Sequence, residues 1–123
     1  MSSEQVCQGG ETLIFACSGA ADVGAISYQA ARKLTKEGVG KMFCLAGVGG
    51  RVAPIVEKTK AAVKILAIDG CGLDCVKSTL DQAGITNYQQ LRVTDLGLTK
   101  GHCPVTAENV EVIVTQSKAM LNN

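Results

Sequence analysis

Six cysteines, Cys7, Cys17, Cys44, Cys71, Cys75 and Cys103, are the side chains of this 123-residue sequence best equipped for chemistry. Two of them stand four positions apart in "AIDGCGLDCVK" (67–77), at the end of a β-branched run. Thiolates bind soft metal ions, attack electrophiles or exchange with disulfides. A Cys-x3-Cys pair supplies two neighbouring ligands, and a tetrahedral zinc needs two more. Six thiols are many for a reducing compartment, where cysteines serve as sparse core residues, metal ligands or reactive groups. A disulfide framework is disfavoured on two counts. The stretch MSSEQVCQGGE lacks the basic region and apolar run of a secretion signal, and a hydrophobic content of 46% is enough to fold without staples.

The apolar periodicity gives the elements that must position these thiols. "TLIFAC" (12–17) reads as a buried strand, after which Asp22 caps a helix with Val23, Ile26, Ala30 and Leu34 on one face, stopped by Gly38. "KMFCLA" (41–46) is a second strand, "GVGG" a turn, and 51–62 a short helix with Pro54 in its first turn, where proline is tolerated. "VKILAI" (63–68) is a third strand. Asp74 caps the following helix, which carries Val76, Leu80 and Ala83 and ends at Gly84. "YQQLRVTDL" (88–96) is a more polar strand suited to a sheet edge, and Thr106 caps a last helix with Val110, Ile113, Val114, Ser117 and Leu121 on one face.

Strands that alternate with helices imply parallel pairing through right-handed crossovers. The expected fold is therefore α/β, a three-layer domain of Rossmann or flavodoxin-like type around a four-stranded parallel sheet of order 2-1-3-4. With only 3% aromatic residues, its core must come from Val, Ile, Leu and Ala. Residues 1–10 are expected to form a flexible N-terminal segment that carries Cys7, and 11–123 a single α/β metal-binding domain.

In such a sheet every strand-to-helix loop lies at the carboxyl edge, where ligands of this architecture bind. Four thiols collect there. Cys17 ends strand 1, Cys44 lies near the end of strand 2, Cys71 follows strand 3, and Cys75 opens the third helix. Neighbouring strands are about 4.8 Å apart and thiolates around zinc about 3.8 Å apart, a gap that side chains close. A zinc held by four thiolates is net negative, and helix N-termini and glycine-lined backbone amides at this edge offset that charge. Taken singly, Cys17 and Cys44 read as small buried hydrophobes; the gathering of four at one edge favours a metal.

The runs "FACSGAADVGAIS", "KMFCLAGVGG", "IDGCGLDC" and "RVTDLG" occur in order between Leu13 and Thr106 and resemble the DGC-domain family of zinc-binding proteins. The family takes its name from the Asp-Gly-Cys motif, here Asp69, Gly70 and Cys71. The resemblance implies one zinc per chain with Cys17, Cys44, Cys71 and Cys75 as chelators, and it brings no settled biochemical role. After "CLAGVGG" the family often continues with small Gly or Ser residues, whereas this chain has Arg51, Val52, Ala53 and Pro54, so the entrance to the site should differ.

Other signals are weaker. Cys103 and His102 share the loop "TKGHCPVT", which also opens onto the carboxyl edge; they and Ser18 and Asp69 are candidates for a lid or for groups that support the ligands. Asp69 is expected to order its turn or accept hydrogen bonds rather than act as a base. Cys71-x5-Lys77 has the spacing of a Cys-x5-Arg phosphatase loop, but lysine lacks the planar fork that grips phosphate. "GAADVGAI" lacks the Lys-Ser/Thr of a P-loop, and "GVGGRV" the third glycine of a dinucleotide fingerprint. With a net charge of +1 and basic residues interspersed among acidic ones, no nucleic-acid partner is expected. No apolar run approaches the roughly 20 residues that span a bilayer, and a cytoplasmic protein without a membrane partner is expected.

Three functions compete. The first is a closed four-thiolate zinc site with a structural, storage or sensing role, which leaves no open position for hydrolysis. The second is a thiol redox enzyme or sulfur carrier that uses Cys71 and Cys75, with Cys103 assisting. The third and weakest is an iron–sulfur cluster on the same cysteines. None of these motifs specifies a substrate or partner.

Overall fold

The computed structural model describes residues 11–122, so the N-terminal segment 1–10, with Cys7, lies outside the described residues. Four strands, β1 (Thr12–Ala16), β2 (Lys41–Met42), β3 (Lys64–Asp69) and β4 (Gln89–Arg92), form one sheet in the order β2-β1-β3-β4. Every pairing is parallel, with Phe15 opposite Ala67 and Ile68 opposite Leu91. The expected order and the edge position of β4 are both found. Among the described residues, five α-helices accompany the sheet: α1 (Asp22–Lys36), α2 (Leu45–Gly49), α3 (Ala53–Lys60), α4 (Cys75–Gln82) and α5 (Ala107–Leu121).

The two-residue alternation of the central strands builds both cores. Ile14 and Ala16 of β1, with Leu66 and Ile68 of β3, turn to the side covered by α1 and α5, where they meet Val23, Ile26, Leu34, Val110 and Ile113. Leu13, Phe15, Ile65 and Ala67 turn the other way, against Val48 of α2 and Val76 and Leu80 of α4. These apolar side chains are almost fully buried, so the sheet is a rigid floor for whatever its loops carry. Among the described residues no helix is long and apolar enough to cross a membrane.

Several boundaries differ from the sequence expectation. Strand β2 stops at Met42 rather than residue 46, because the chain turns at Cys44 into α2, and "GVGG" continues that helix instead of forming a turn. The Cys44 thiol favours the change: its sulfur accepts the Gly47 N–H at 3.3 Å, as an N-cap side chain does. At the fourth strand the ladder ends at Arg92, and Val93–Leu96 wind into a single 3-10 turn. Thr106 caps α5 as expected, its hydroxyl accepting from the Asn109 N–H at 3.2 Å.

The two aspartates read as helix caps have other duties. Asp22 is the first residue of α1, behind Ala21 in the cap position, and its carboxylate binds a distant loop. Asp74 precedes α4 in the left-handed conformation (φ 54°, ψ 47°) and makes no side-chain cap. Asp69 takes that role from the end of β3, accepting the Val76 N–H at 2.7 Å and the Lys77 N–H at 3.1 Å.

Candidate functional site

The four thiols lie in the connections that follow β1, β2 and β3, Cys75 at the start of a helix. Cys17 follows β1 directly, its N–H donating to the Ile68 carbonyl at 3.0 Å, and its side chain is half-buried. The first turn of α1 crosses just above it: a Cβ on Gly24 would stand 3.0 Å from the Cys17 sulfur. The same crossing explains the middle residue of the Asp-Gly-Cys motif. A Cβ on Gly70 would lie 2.8 Å from the Gly24 nitrogen and 3.0 Å from its Cα, backbone atoms that cannot step aside. Two glycines, one on each side, thus let α1 rest on the strand ends.

Cys44 is exposed at the cap of α2 and Cys75 is exposed as the first residue of α4, while Cys71 is half-buried in the turn between β3 and α4. A groove of about 400 Å³, lined by Gly49, Arg51, Leu73, Cys75, Ser78 and Thr79 among others, runs beside Cys75. Arg51, where the chain departs from the expected small residues, lines this groove. Its guanidinium donates to the carbonyls of Val48, Gly49 and Gln82 at 3.0, 3.1 and 2.9 Å and so ties the ends of α2 and α4 together.

Asp69 is buried beneath the Cys-x3-Cys turn and, besides the two α4 amides, accepts from Gln90 Nε2 at 3.0 Å. Gln90 also donates to Asp74 Oδ1 at 2.9 Å, and Arg92 grips both oxygens of Asp74, at 2.9 and 2.8 Å. The Arg92 hydrogen bonds, joined by Gln90, hold the Asp74 carboxyl below its ordinary value, and Asp74 in turn raises the Arg92 guanidinium.

The loop after the 3-10 turn reaches the edge through a residue that sequence reasoning missed. Lys100 Nζ donates to the Cys71 sulfur at 3.4 Å. Of the residues singled out in this loop, His102 is exposed, and Cys103 is only 4% exposed, packed among the apolar residues under α5. Burial, with the nearby Asp22 charge, pushes the Cys103 thiol up. Ser18 is exposed in the loop after Cys17. No spacing signal links Lys100 to Cys71, which lies 29 residues earlier.

Asp22 latches this loop: its oxygens accept the Gly101 and Cys103 N–H groups at 3.0 and 3.1 Å. Those two bonds, led by Gly101, lower the Asp22 carboxyl from its ordinary 3.8. A depressed carboxylate contributes fully above its ordinary value and is lost as pH falls through the lowered one. The amide resonances of Gly101 and Cys103 should therefore share a transition below about pH 4 that Asp22→Asn abolishes; a shared acid transition that survives this substitution would show that Asp22 is not the latch.

The four thiols share an edge without converging on one point. Among the described residues, no three His, Cys, Asp or Glu side chains are gathered closely enough to hold a metal ion. The thiols of Cys44 and Cys71 are instead engaged by the Gly47 N–H and the Lys100 ammonium.

The sequence profile of the DGC domain matches residues 13–117, from β1 through most of α5, and so includes all four of these cysteines. The chain belongs to the DGC-domain family. This DGC domain is also similar to the "Anaerobic and virulence modulator AnvM" of Pseudomonas aeruginosa, with 36% identity over 88 residues, 72% of this chain and 67% of that protein. No solved structure matches it.

Proposed function

We propose that this DGC domain binds one zinc ion through Cys17, Cys44, Cys71 and Cys75 at the carboxyl edge of the sheet, and that its role is to hold or sense the ion. The observation that carries the reading is the placement of four solvent-accessible thiols on the loops after β1, β2 and β3, with the fifth described thiol, Cys103, buried. Thiolate sets of this kind select zinc among abundant divalent ions. The donors fit zinc by type and by edge. Their convergence requires thiols to move, and neither of the exposed ones, Cys44 and Cys75, is packed into a core.

Zinc bound by four thiolates has no open position, so it supplies electrostatic cross-linking of the loops rather than an activated water. The chain's own groups then offset the negative charge: the Gly47 N–H on Cys44 and the Lys100 ammonium on Cys71. The similarity to a protein named a modulator agrees with sensing. The low-charge, thiol-rich sequence agrees with a reducing, cytoplasmic setting and gives no cue to a nucleic-acid partner.

One observation favours a second reading. A cation 3.4 Å from the Cys71 sulfur also suits a reactive thiol that exchanges with disulfides or carries sulfur together with Cys75. Mass-spectrometric alkylation separates the two. Zinc-loaded protein should protect Cys17, Cys44, Cys71 and Cys75 as a set and release all four when a chelator is added. Rapid modification of Cys71 in zinc-loaded protein would sink the closed site.

A further inference from the structure

We infer that Arg92 is a positioning residue for the Cys71 and Cys75 thiols and acts on them through Asp74; the inference rests on reading those cysteines as metal ligands. The turn that joins them is unusual in what holds it. Gly72 has no atom beyond its chain neighbours within 4 Å of where a Cβ would lie, and Leu73 is 73% exposed, so packing does little to hold the middle of the turn. Its shape is set at residue 74. The Asp74 N–H donates to the Cys71 carbonyl at 3.1 Å, and the Ser78 N–H donates to the Asp74 carbonyl at 2.8 Å, so this one residue connects the first thiol's backbone to the helix that begins with the second.

Asp74 does this at φ 54°, a left-handed conformation that residues with a Cβ avoid and that only Asn and Asp visit with any ease. A conformation of that kind persists where surroundings over-determine it. Here they come from β4. Arg92 meets the Asp74 carboxylate with two parallel N–H bonds, the geometry in which guanidinium fixes orientation as well as charge, and Asp95 holds Arg92 Nη1 from the far side at 3.3 Å. Gln90, two residues earlier and so on the same face of β4, bridges Asp74 to the buried Asp69. Helix α4 does not need this clamp for its start, since Asp69 already accepts its first free amides. The clamp is spent on the turn, and the turn carries the two thiols.

The test uses the full chain with Arg92→Gln, Asp74→Gly and Asp74→Asn, and with Lys33→Gln, which breaks the surface Lys33–Glu111 pair far from the edge, as the control. Zinc affinity is read by competition with a chromophoric chelator, and ligand geometry by the cobalt(II) spectrum. In metal-free protein, the alkylation rate of Cys71 is read against that of Cys17. Arg92→Gln and Asp74→Gly should weaken zinc binding about 10- to 100-fold and raise the Cys71 rate relative to Cys17. Asp74→Asn, which keeps both the left-handed preference and one acceptor, should recover much of the loss, and Lys33→Gln should change neither readout.

Asp74→Gly removes the backbone strain and the clamp together. Binding as tight as in the unaltered chain would show that the turn needs only a permissive residue and would overturn the inference. An unchanged Cys71 rate in Arg92→Gln would also overturn it. If the unaltered chain binds neither zinc nor cobalt, the zinc reading fails, and the metal-free rates alone decide whether Arg92 positions the thiols.

Discussion

Replacing Cys71 by serine should leave a folded protein that no longer retains zinc through purification. Thiolate zinc sites are worth about 10–16 kcal/mol in apparent binding free energy. Shared among four ligands, the loss of one costs about 3 kcal/mol, or about 100-fold in affinity. The fold should tolerate the change, because Cys71 is half-buried at the margin of the core and its strand is held by β1 and β4 on either side. Cys103→Ser is the matched control. Its thiol is buried under α5, so serine there should lower stability while zinc per chain stays the same. Zinc content that falls with Cys103 and not with Cys71 would mean that the ligand set is wrong.

The largest loss of stability is expected from Asp69→Ala. The carboxylate is 1% exposed and accepts three hydrogen bonds, from the Val76 and Lys77 amides and from Gln90. Alanine leaves the Val76 and Lys77 amides without that partner, the Val76 amide in a buried place, while Gln90 keeps its bond to Asp74. An unsatisfied buried donor costs about 1–3 kcal/mol, and the loss of a helix cap costs about 1 kcal/mol; together they imply about 3 kcal/mol. For a domain of this length that is a fall of about 10 °C in Tm. Because Asp69 starts α4, the same variant should also lose zinc, whereas Asp22→Ala, which frees a surface loop, should cost far less stability. A Tm within about 2 °C of the unaltered chain would show that water replaces the carboxylate and that the Asp-Gly-Cys aspartate is not structural.

Much of this architecture is legible in the sequence for a physical reason: β1 and β3 are buried on both faces, and continuous runs such as "TLIFA" and "KILAID" have no other stable place than the middle of a parallel sheet. The edge elements are less legible. "KMFCLAGVGG" has the hydrophobicity of a strand followed by a glycine turn. What decides its helix is a thiol acting as an N-cap and the packing of Gly47 beneath Ile55, neither of which shows in a linear pattern. Asp74 and Asp69 exchange roles for a similar reason. A local rule assigns the cap to the nearest aspartate, whereas Arg92, 18 residues later, claims that side chain and leaves the helix to the buried one.

The candidate site divides in the same way. Its thiols could be placed from strand ends alone, because every strand of a parallel sheet delivers its following loop to one edge. The groups that attend them, Lys100 on Cys71 and Arg92 on Asp74, come from loops and strands far along the chain, and only the folded structure brings them there. Cys103 shows the converse. Its neighbours in "TKGHCPVT" suggest a reachable thiol, yet the hydrogen bonds from the Gly101 and Cys103 amides to Asp22 turn the loop so that Lys100 faces the edge and Cys103 the core.

The most direct test of a thiolate zinc site on this DGC domain is its metal content. Untagged protein purified anaerobically with reductant and without added metal, then analysed by plasma mass spectrometry, should carry close to one zinc per chain, removable by a chelator together with the protection of four thiols. Protein that carries no zinc, or iron with matching sulfide in its place, would contradict it.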